Sequence, residues 1–402
     1  MANAFAASKG INMTVGDRCP VSDFKMLSGA IGTTDPFQAY ADVGSVPPFW
    51  TESPDDIDGY WVVTRYEDIR AVLRDSATFS SVAALIPFVE LPQPMLPSES
   101  DPPLVNKYRG ILLPHLTASK VDPLEDRMHE VCAQLVGSFK DLGRCDAVAD
   151  FARIYPITIF TELFGLPAER REEFRTLAHR FLNVVSERPA TWSKIRTIVE
   201  EQLEEKRTNP QADLLSAIGN GEIDGELIDI EAATNVASTV FLGGLDTLPS
   251  NIAWTLRHLA THPEDRHQVV VDPSVIADAV EEFLRRFSVA NPVRRATTDV
   301  EVGGSLIREN DRLLVLIANG DRDPAEFGDA DVVRFDRGTN RHVAFGAGTH
   351  RCLGSHLARH ELQVAIYEWH KMIPDYRIAA DATLTYRGGV LAMDTLPLEW
   401  DV

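Results

Sequence analysis

The chain has 402 residues, and no Pro/Gly/Ser-rich linker or shift in composition divides it, so a single domain spanning 1–402 is expected. Its 60 acidic residues against 39 Lys and Arg leave a formal charge of -21, which opposes nucleic-acid backbones and anionic lipid surfaces. The four cysteines, Cys19, Cys132, Cys145 and Cys352, form no C-x-x-C pair, which argues against a disulfide framework or a zinc ribbon.

From Met1 to Pro20 there is no apolar core flanked by basic residues, and nowhere does an apolar run reach the roughly eighteen residues of a membrane span. A soluble cytoplasmic protein with neither nucleic acid nor membrane as partner is the expectation. The first clear extended run, Tyr60 to Thr64, predicts a strand. Leu85 to Pro103, dotted with prolines, predicts a long surface or lid loop. Ala190 to Lys206 then repeats apolar residues at helical spacing.

Asp229 is a good N-cap, and the helical pattern after it runs to His262, where Pro263 stops it. Such a helix is about 50 Å long at 1.5 Å rise per residue, enough to cross a domain. Its middle reads Phe241-Leu-Gly-Gly-Leu-Asp-Thr-Leu-Pro249. Two glycines weaken a helix by about 1 kcal/mol each, and Pro249 cannot donate to the carbonyl of Leu245 and crowds it. A kink or bulge over Leu245 to Pro249 is predicted.

Further on, Glu282-Phe-Leu-Arg285 sets an acid and a base one helical turn apart. Leu313 to Ala318 predicts another strand, and Leu353 to Ile373 another helix. Helices dominate throughout, so the class is mostly α with small β regions.

Between these last elements lies Phe345 to His356, FGAGTHRCLGSH, with three glycines and two histidines around Cys352. As a nucleophile, Cys352 would need a base, and His350 and His356 are near in sequence. As a zinc ligand it has His356 and His360 at i+4 and i+8. Eight residues of helix span about 12 Å, however, so the three cannot share one ion. A buried small residue would explain the cysteine but not its neighbours. A thiolate ligand held by backbone N–H groups explains both, because glycines let the main chain turn toward sulfur and the following helix points its positive end at it. Gly354, without a side chain, leaves space for a flat macrocycle.

The pattern Phe345-x-x-Gly348-x-His350-x-Cys352-x-Gly354 resembles the haem-binding signature of the bacterial cytochrome P-450 monooxygenases. The resemblance implies a triangular α-helical prism, with haem b between a long distal helix and a proximal cysteine loop, and Cys352 as the iron ligand whose electron donation favours O–O cleavage. Glu282 and Arg285 resemble the family's ExxR pair. Asn319-Gly-Asp-Arg-Asp-Pro-Ala-Glu-Phe327 and Phe335-Asp-Arg337 resemble the segments leading into the cysteine loop, with Gly320 and Asp321 departing from the commonest spelling. Arg109, Arg294 and His350 fall at positions that hold the haem propionates, while Val105 stands where many relatives carry a histidine. Gly243-Gly-Leu-Asp-Thr247 resembles the distal acid-alcohol site, which gives Thr247 a hydrogen bond to the reacting dioxygen and Asp246 a gate for protons.

The Gly-Gly-Leu-Asp-Thr string, the Arg-Arg-Phe after Glu282 and the closing Leu-Pro-Leu-Glu-Trp-Asp resemble the camphor-hydroxylase branch, which implies a small monoterpenoid as substrate. The branch's ketone-binding tyrosine is absent, and Gln93 takes the matching position, so 1,8-cineole joins camphor as a candidate. Leu242, Gly243, Val289 and Ala290, with Leu85 or Phe88, are the expected pocket walls. No flavin, nicotinamide or iron–sulfur motif is present. Electrons for dioxygen are therefore expected from a separate ferredoxin and its reductase, docking near Arg70, Lys107, Arg109 and Arg359. A peroxide-driven haem peroxygenase and a non-catalytic haem sensor are the alternatives. In peroxide-driven relatives the acid-alcohol pair is typically altered, and a sensor has no need of it.

Overall fold

Asp229 starts the long helix in the computed structural model, which describes residues 11–12, 21–22, 24, 30–52, 59–82, 85–86 and 89–402. Cys19, and Phe88 of the expected pocket wall, lie outside the described residues. The Asp229 carboxylate accepts the backbone N–H groups of Glu231 and Ala232 at 3.0 and 3.2 Å, satisfying donors that have no partner within the helix. The run is two helices, Ile230–Gly243 and Thr247–Thr261, the second ending before Pro263 as the sequence predicts, and Pro263 itself opens the next helix. The break occupies Gly244, Leu245 and Asp246 and so begins ahead of the expected kink. Pro249 consequently falls in the first turn of the second helix, where its missing N–H forgoes no intrahelical bond.

The helix Arg188–Thr208 encloses the run expected at Ala190 to Lys206, and the helix Ser355–Met372 falls within the run expected at Leu353 to Ile373, starting two residues later and ending one earlier. Tyr60–Val63 and Arg312–Val315 are strands and pair in parallel, Leu313 opposite Trp61 and Val315 opposite Val63. The second is shorter than predicted. After Leu316 donates to the Val63 carbonyl, the chain turns into a short helix, Ile317–Gly320. The Asn319 amide fixes that turn by donating to the carbonyls of Tyr40 and Gly44 at 2.8 and 3.2 Å.

The strands are only two to four residues long, yet seven of them form one sheet. Within it Val293–Ala296 pairs antiparallel with Arg312–Val315, Arg294 opposite Leu313. Alternation along this strand turns Arg294 and Ala296 inward.

Aromatic packing joins the second half of the long helix to its neighbours. Trp254 stacks on Phe287 and on Tyr386, with ring centroids 5.9 and 5.6 Å apart, and its indole donates to the Leu391 carbonyl at 2.8 Å. In the helix Ile276–Arg286, Glu282 and Arg285 are fully buried and pair through two hydrogen bonds of 2.9 and 2.8 Å. Arg285 also donates to the carbonyls of Asp321 and Ala330, and Glu282 accepts from the Arg334 N–H and the Arg337 guanidinium. The pair therefore clamps the irregular segment that leads to Cys352. Removing one partner of such a buried pair costs about 3–5 kcal/mol, because the other charge is stranded. Among the described residues no helix is long and apolar enough to cross a membrane.

Candidate functional site

The cysteine loop is built by backbone conformations that side chains disfavour. Gly346 and Gly348 adopt φ of +70° and +69°, and a Cβ on Gly348 would lie 2.5 Å from the Leu73 carbonyl oxygen. The Cys352 N–H donates to the Phe345 carbonyl at 2.8 Å and closes the loop. Gly354 caps the following helix, and nothing lies within 4 Å of where its Cβ would be. The Arg359 guanidinium sits 4.6 Å over the Phe345 ring, fixing the aromatic residue of the signature.

Cys352 opens into an internal cavity of about 630 Å³. Burial pushes its thiol up, while the Gly354 N–H and the positive charges of Arg109, Arg351 and Arg359 pull it down. The sulfur thus faces the cavity with a backbone donor and cations around it, the surroundings a metal-bound thiolate requires.

Three basic side chains reach the same cavity: Arg109, Arg294 and His350. Among the described residues none of them forms an ion pair, although Ser80, Ser81 and Asp101 form a hydrogen-bonded group close by. Arg109 donates to the Arg351 carbonyl at 2.7 Å, and Arg294 to the Val293 carbonyl at 2.7 Å. Burial lowers Arg294 to about 10. His350 is pushed down to about 4, by burial and then by the charges of Arg294 and Arg109, and its Nε2 is buried with no hydrogen-bond partner. Arg294 is buried and offset only by the charge of Asp101, with no ion pair, and a buried cation without a paired counter-ion is costly. A flat ligand carrying two carboxylates and offering iron to Cys352 fits this cavity, so the residues present are suited to haem.

The opposite wall is the broken helix. Thr239, Val240, Gly243, Gly244 and Thr247 line the cavity at intervals of three and four residues, one helical face. The two glycines differ: Gly243 has open space where a Cβ would be, whereas a Cβ on Gly244 would lie 2.4 Å from the Phe160 ring. Gly243 therefore leaves room in the cavity, and Gly244 lets the aromatic ring close against the break. The Thr247 hydroxyl donates to the Gly243 carbonyl at 3.3 Å.

Asp246 points away from that face. Burial raises its carboxyl, opposed by the charges of Arg387, His179 and Arg153, and its Oδ2 has no hydrogen-bond partner. Arg387 joins His179 Nδ1 at 2.9 Å and Asp394 at 2.6 Å, and Arg153 donates to the Asp394 carbonyl at 3.1 Å. These partners come from distant parts of the chain and carried no sequence signal.

Of the expected walls, Val289, Ala290 and Leu85 line the cavity, and Ile86 and Met95 join them from the predicted lid loop. Leu242 and Gln93 do not. One residue of helix rotates the chain by 100°, so with Gly243 facing the cavity Leu242 packs into the apolar cluster with Phe241 and Leu245. Gln93 is held through its backbone carbonyl, which accepts the Trp192 indole N–H at 2.9 Å. Val105 is fully buried outside the cavity lining. Sequence reasoning missed Phe160, Leu182, Asn251 and Val390 as cavity walls.

The expected basic dock is largely neutralised. Arg70 pairs with Glu67, Lys107 with Asp224, and Arg359 with Glu281, while Arg109 faces the cavity.

The cytochrome P450 family model matches residues 274–369, which span the buried Glu282–Arg285 pair and the cysteine loop. The probable cytochrome P450 127A1 of Sinorhizobium fredii is 31% identical over 373 residues, 91% of this chain and 90% of that relative. The mycinamicin IV hydroxylase/epoxidase of Micromonospora griseorubida is 30% identical over 374 residues, 88% of this chain and 91% of that relative. The solved structure of cytochrome P450 CYP101C1 has 30% sequence identity and a TM-score of 0.87, over 96% of this chain and 98% of that one. With a cysteine loop and a basic trio suited to haem on one side and a broken helix on the other, the chain belongs to the cytochrome P450 family of haem-thiolate monooxygenases.

Proposed function

We propose that this chain, folded as one P450 domain over 1–402, hydroxylates a small hydrophobic substrate, a monoterpenoid such as 1,8-cineole or camphor, with dioxygen and two electrons from a ferredoxin. The observation that carries this reading is one cavity bounded by Cys352 on one side and by Gly243 and Thr247 on the other. When bound, the haem supplies oxygen activation: one oxygen atom enters a C–H bond, and the other leaves as water after uptake of two electrons and two protons.

Cys352 would hold the iron, while Arg109, Arg294 and His350 would hold the propionates. Gly243 keeps the space beside Thr247 free of side chain, and the Thr247 hydroxyl orients there as donor and acceptor. Asp246, on the far side of the break and within the field of Arg387, His179 and Arg153, takes protons from outside and passes them inward. This acid-alcohol pair favours dioxygen over added peroxide as oxidant and over a purely ligand-sensing role.

The substrate space is apolar, with Leu85, Ile86, Met95, Val240 and Val289 in its walls. The Thr239 hydroxyl is already engaged by the Asn235 carbonyl at 2.9 Å. Walls of this kind suit a hydrophobic molecule. The resemblance of the Gly-Gly-Leu-Asp-Thr string and the closing Leu-Pro-Leu-Glu-Trp-Asp to the camphor-hydroxylase branch, with CYP101C1 as a structural neighbour, supports both the terpenoid class and a ferredoxin as donor.

Optical titration of the ferric holoprotein with cineole, camphor and a long-chain fatty acid tests the substrate class. A complete low- to high-spin change with a monoterpenoid is expected. If only the fatty acid produces it, the terpenoid reading is wrong.

A further inference from the structure

His356 and His360 cannot share one ion with Cys352 along the helix, but the fold brings them a different third ligand. Asp122, from the turn before the helix Glu125–Phe139, places Oδ1 at 3.1 Å from His356 Nε2 and 3.4 Å from His360 Nε2. One ligand atom from each of the three residues lies within 4.8 Å of the other two. Zn–N and Zn–O bonds of 2.0–2.2 Å put neighbouring ligand atoms of a tetrahedral site about 3.4 Å apart, close to the spacings found. Glu125 Oε2 stands 3.8 Å from His360 Nδ1 as an adjacent carboxylate.

We propose that Asp122, His356 and His360 form a binding site for a divalent transition ion of the Zn²⁺ class, separate from the haem cavity. None of the three lines that cavity. Two imidazoles and one carboxylate select Zn²⁺, Co²⁺, Ni²⁺ or Cu²⁺ over the oxygen-seeking Mg²⁺ and Ca²⁺. The i, i+4 spacing sets both rings on one helical face, and the rings lie 4.6 Å apart at 62°. The side chains keep 36%, 21% and 53% of their surface exposed for His356, His360 and Asp122, so an ion can enter from solvent. A fourth position is left to water, while Glu125 faces the other ring nitrogen of His360. An ion here straps the Asp122 turn to the helix that begins just after Cys352, and because it binds the folded chain it raises the unfolding temperature.

Calorimetric titration of the holoprotein with ZnCl₂ tests this, with MgCl₂ as the contrast and the reduced carbon-monoxide spectrum as the check that each variant is folded. Wild type is expected to take up one saturable equivalent of Zn²⁺ and none of Mg²⁺, with a higher unfolding temperature in Zn²⁺. His360→Gln and Asp122→Asn are expected to weaken Zn²⁺ at least tenfold without changing the spectrum. Zn²⁺ affinity unchanged in His356→Gln/His360→Gln, or no saturable uptake by wild type up to millimolar Zn²⁺, overturns the proposal.

Discussion

The Thr247 hydroxyl reaches back to the Gly243 carbonyl at 3.3 Å, across the break that separates the two halves of the long helix. A bond of that length is near the outer limit for a hydroxyl donor, so the proton is held loosely and can be redirected into the cavity. Thr247→Ala removes the hydroxyl and keeps an apolar side chain, so haem binding and substrate affinity should stay within about twofold. Product formed per reductant consumed should fall about tenfold or more, with peroxide released instead. Thr247→Ser should recover most of the coupling. Full coupling in Thr247→Ala would show that the hydroxyl plays no part in oxygen activation.

Asp246 sits behind that break with one oxygen unpartnered, its carboxyl raised by burial against the opposing charges of Arg387 and Arg153. Asp246→Asn preserves shape and removes the exchangeable acid. Turnover should drop by about 100-fold, and the solvent deuterium isotope effect on turnover should rise, since proton delivery becomes limiting. Arg387→Gln should move the pH dependence of turnover to higher pH, because Arg387 is the charge that most strongly opposes the rise of the carboxyl and a neutral side chain removes it. An isotope effect equal to that of wild type in Asp246→Asn would remove Asp246 from the proton path.

The parts of this site legible in the sequence are those held by local geometry. Gly348 is needed because a Cβ would strike the Leu73 carbonyl, and Gly244 because one would strike Phe160, so both leave a mark in the chain. The Asp229 cap and the spacing of Glu282 and Arg285 are likewise local. The pocket wall was read less well. Choosing Leu242 requires the rotation of the helix about its axis, which only packing against Phe241 and its neighbours sets. Gln93 lies in an irregular loop whose course follows a bond from Trp192, far along the chain. The Arg387, His179 and Asp394 group around Asp246 depends wholly on tertiary contact. The histidine pair at 356 and 360 was visible, but its carboxylate partner Asp122 was not.

Cys352 supports a direct spectroscopic test. Its N–H is bonded to Phe345, so the loop survives replacement of the sulfur by another ligand. Cys352→His should retain haem through Arg109, Arg294 and His350, yet lose the thiolate absorption of the reduced carbon-monoxide form and nearly all monooxygenase turnover. The same spectrum in wild type and variant would mean that another residue ligates iron.

Glu361 carries a pH signature of its own. It lies on the inner face of the helix Ser355–Met372, lines the cavity floor, and its Oε1 is buried with no hydrogen-bond partner. Burial alone raises its carboxyl well above the usual range, so the folded chain keeps the proton after the unfolded chain has lost it near pH 4.3. Above that pH the native state binds one proton more than the unfolded state. The resulting penalty on wild-type stability grows by ~1.4 kcal/mol per pH unit until the native carboxyl ionises. Glu361→Gln mimics the neutral acid and carries no such penalty. Its advantage over wild type should be close to zero at pH 4 and increase steadily toward pH 7, as read from denaturant midpoints of the holoprotein. A gap between the two proteins that is the same at pH 4.5 and pH 7 would mean that Glu361 is ionised in the folded state.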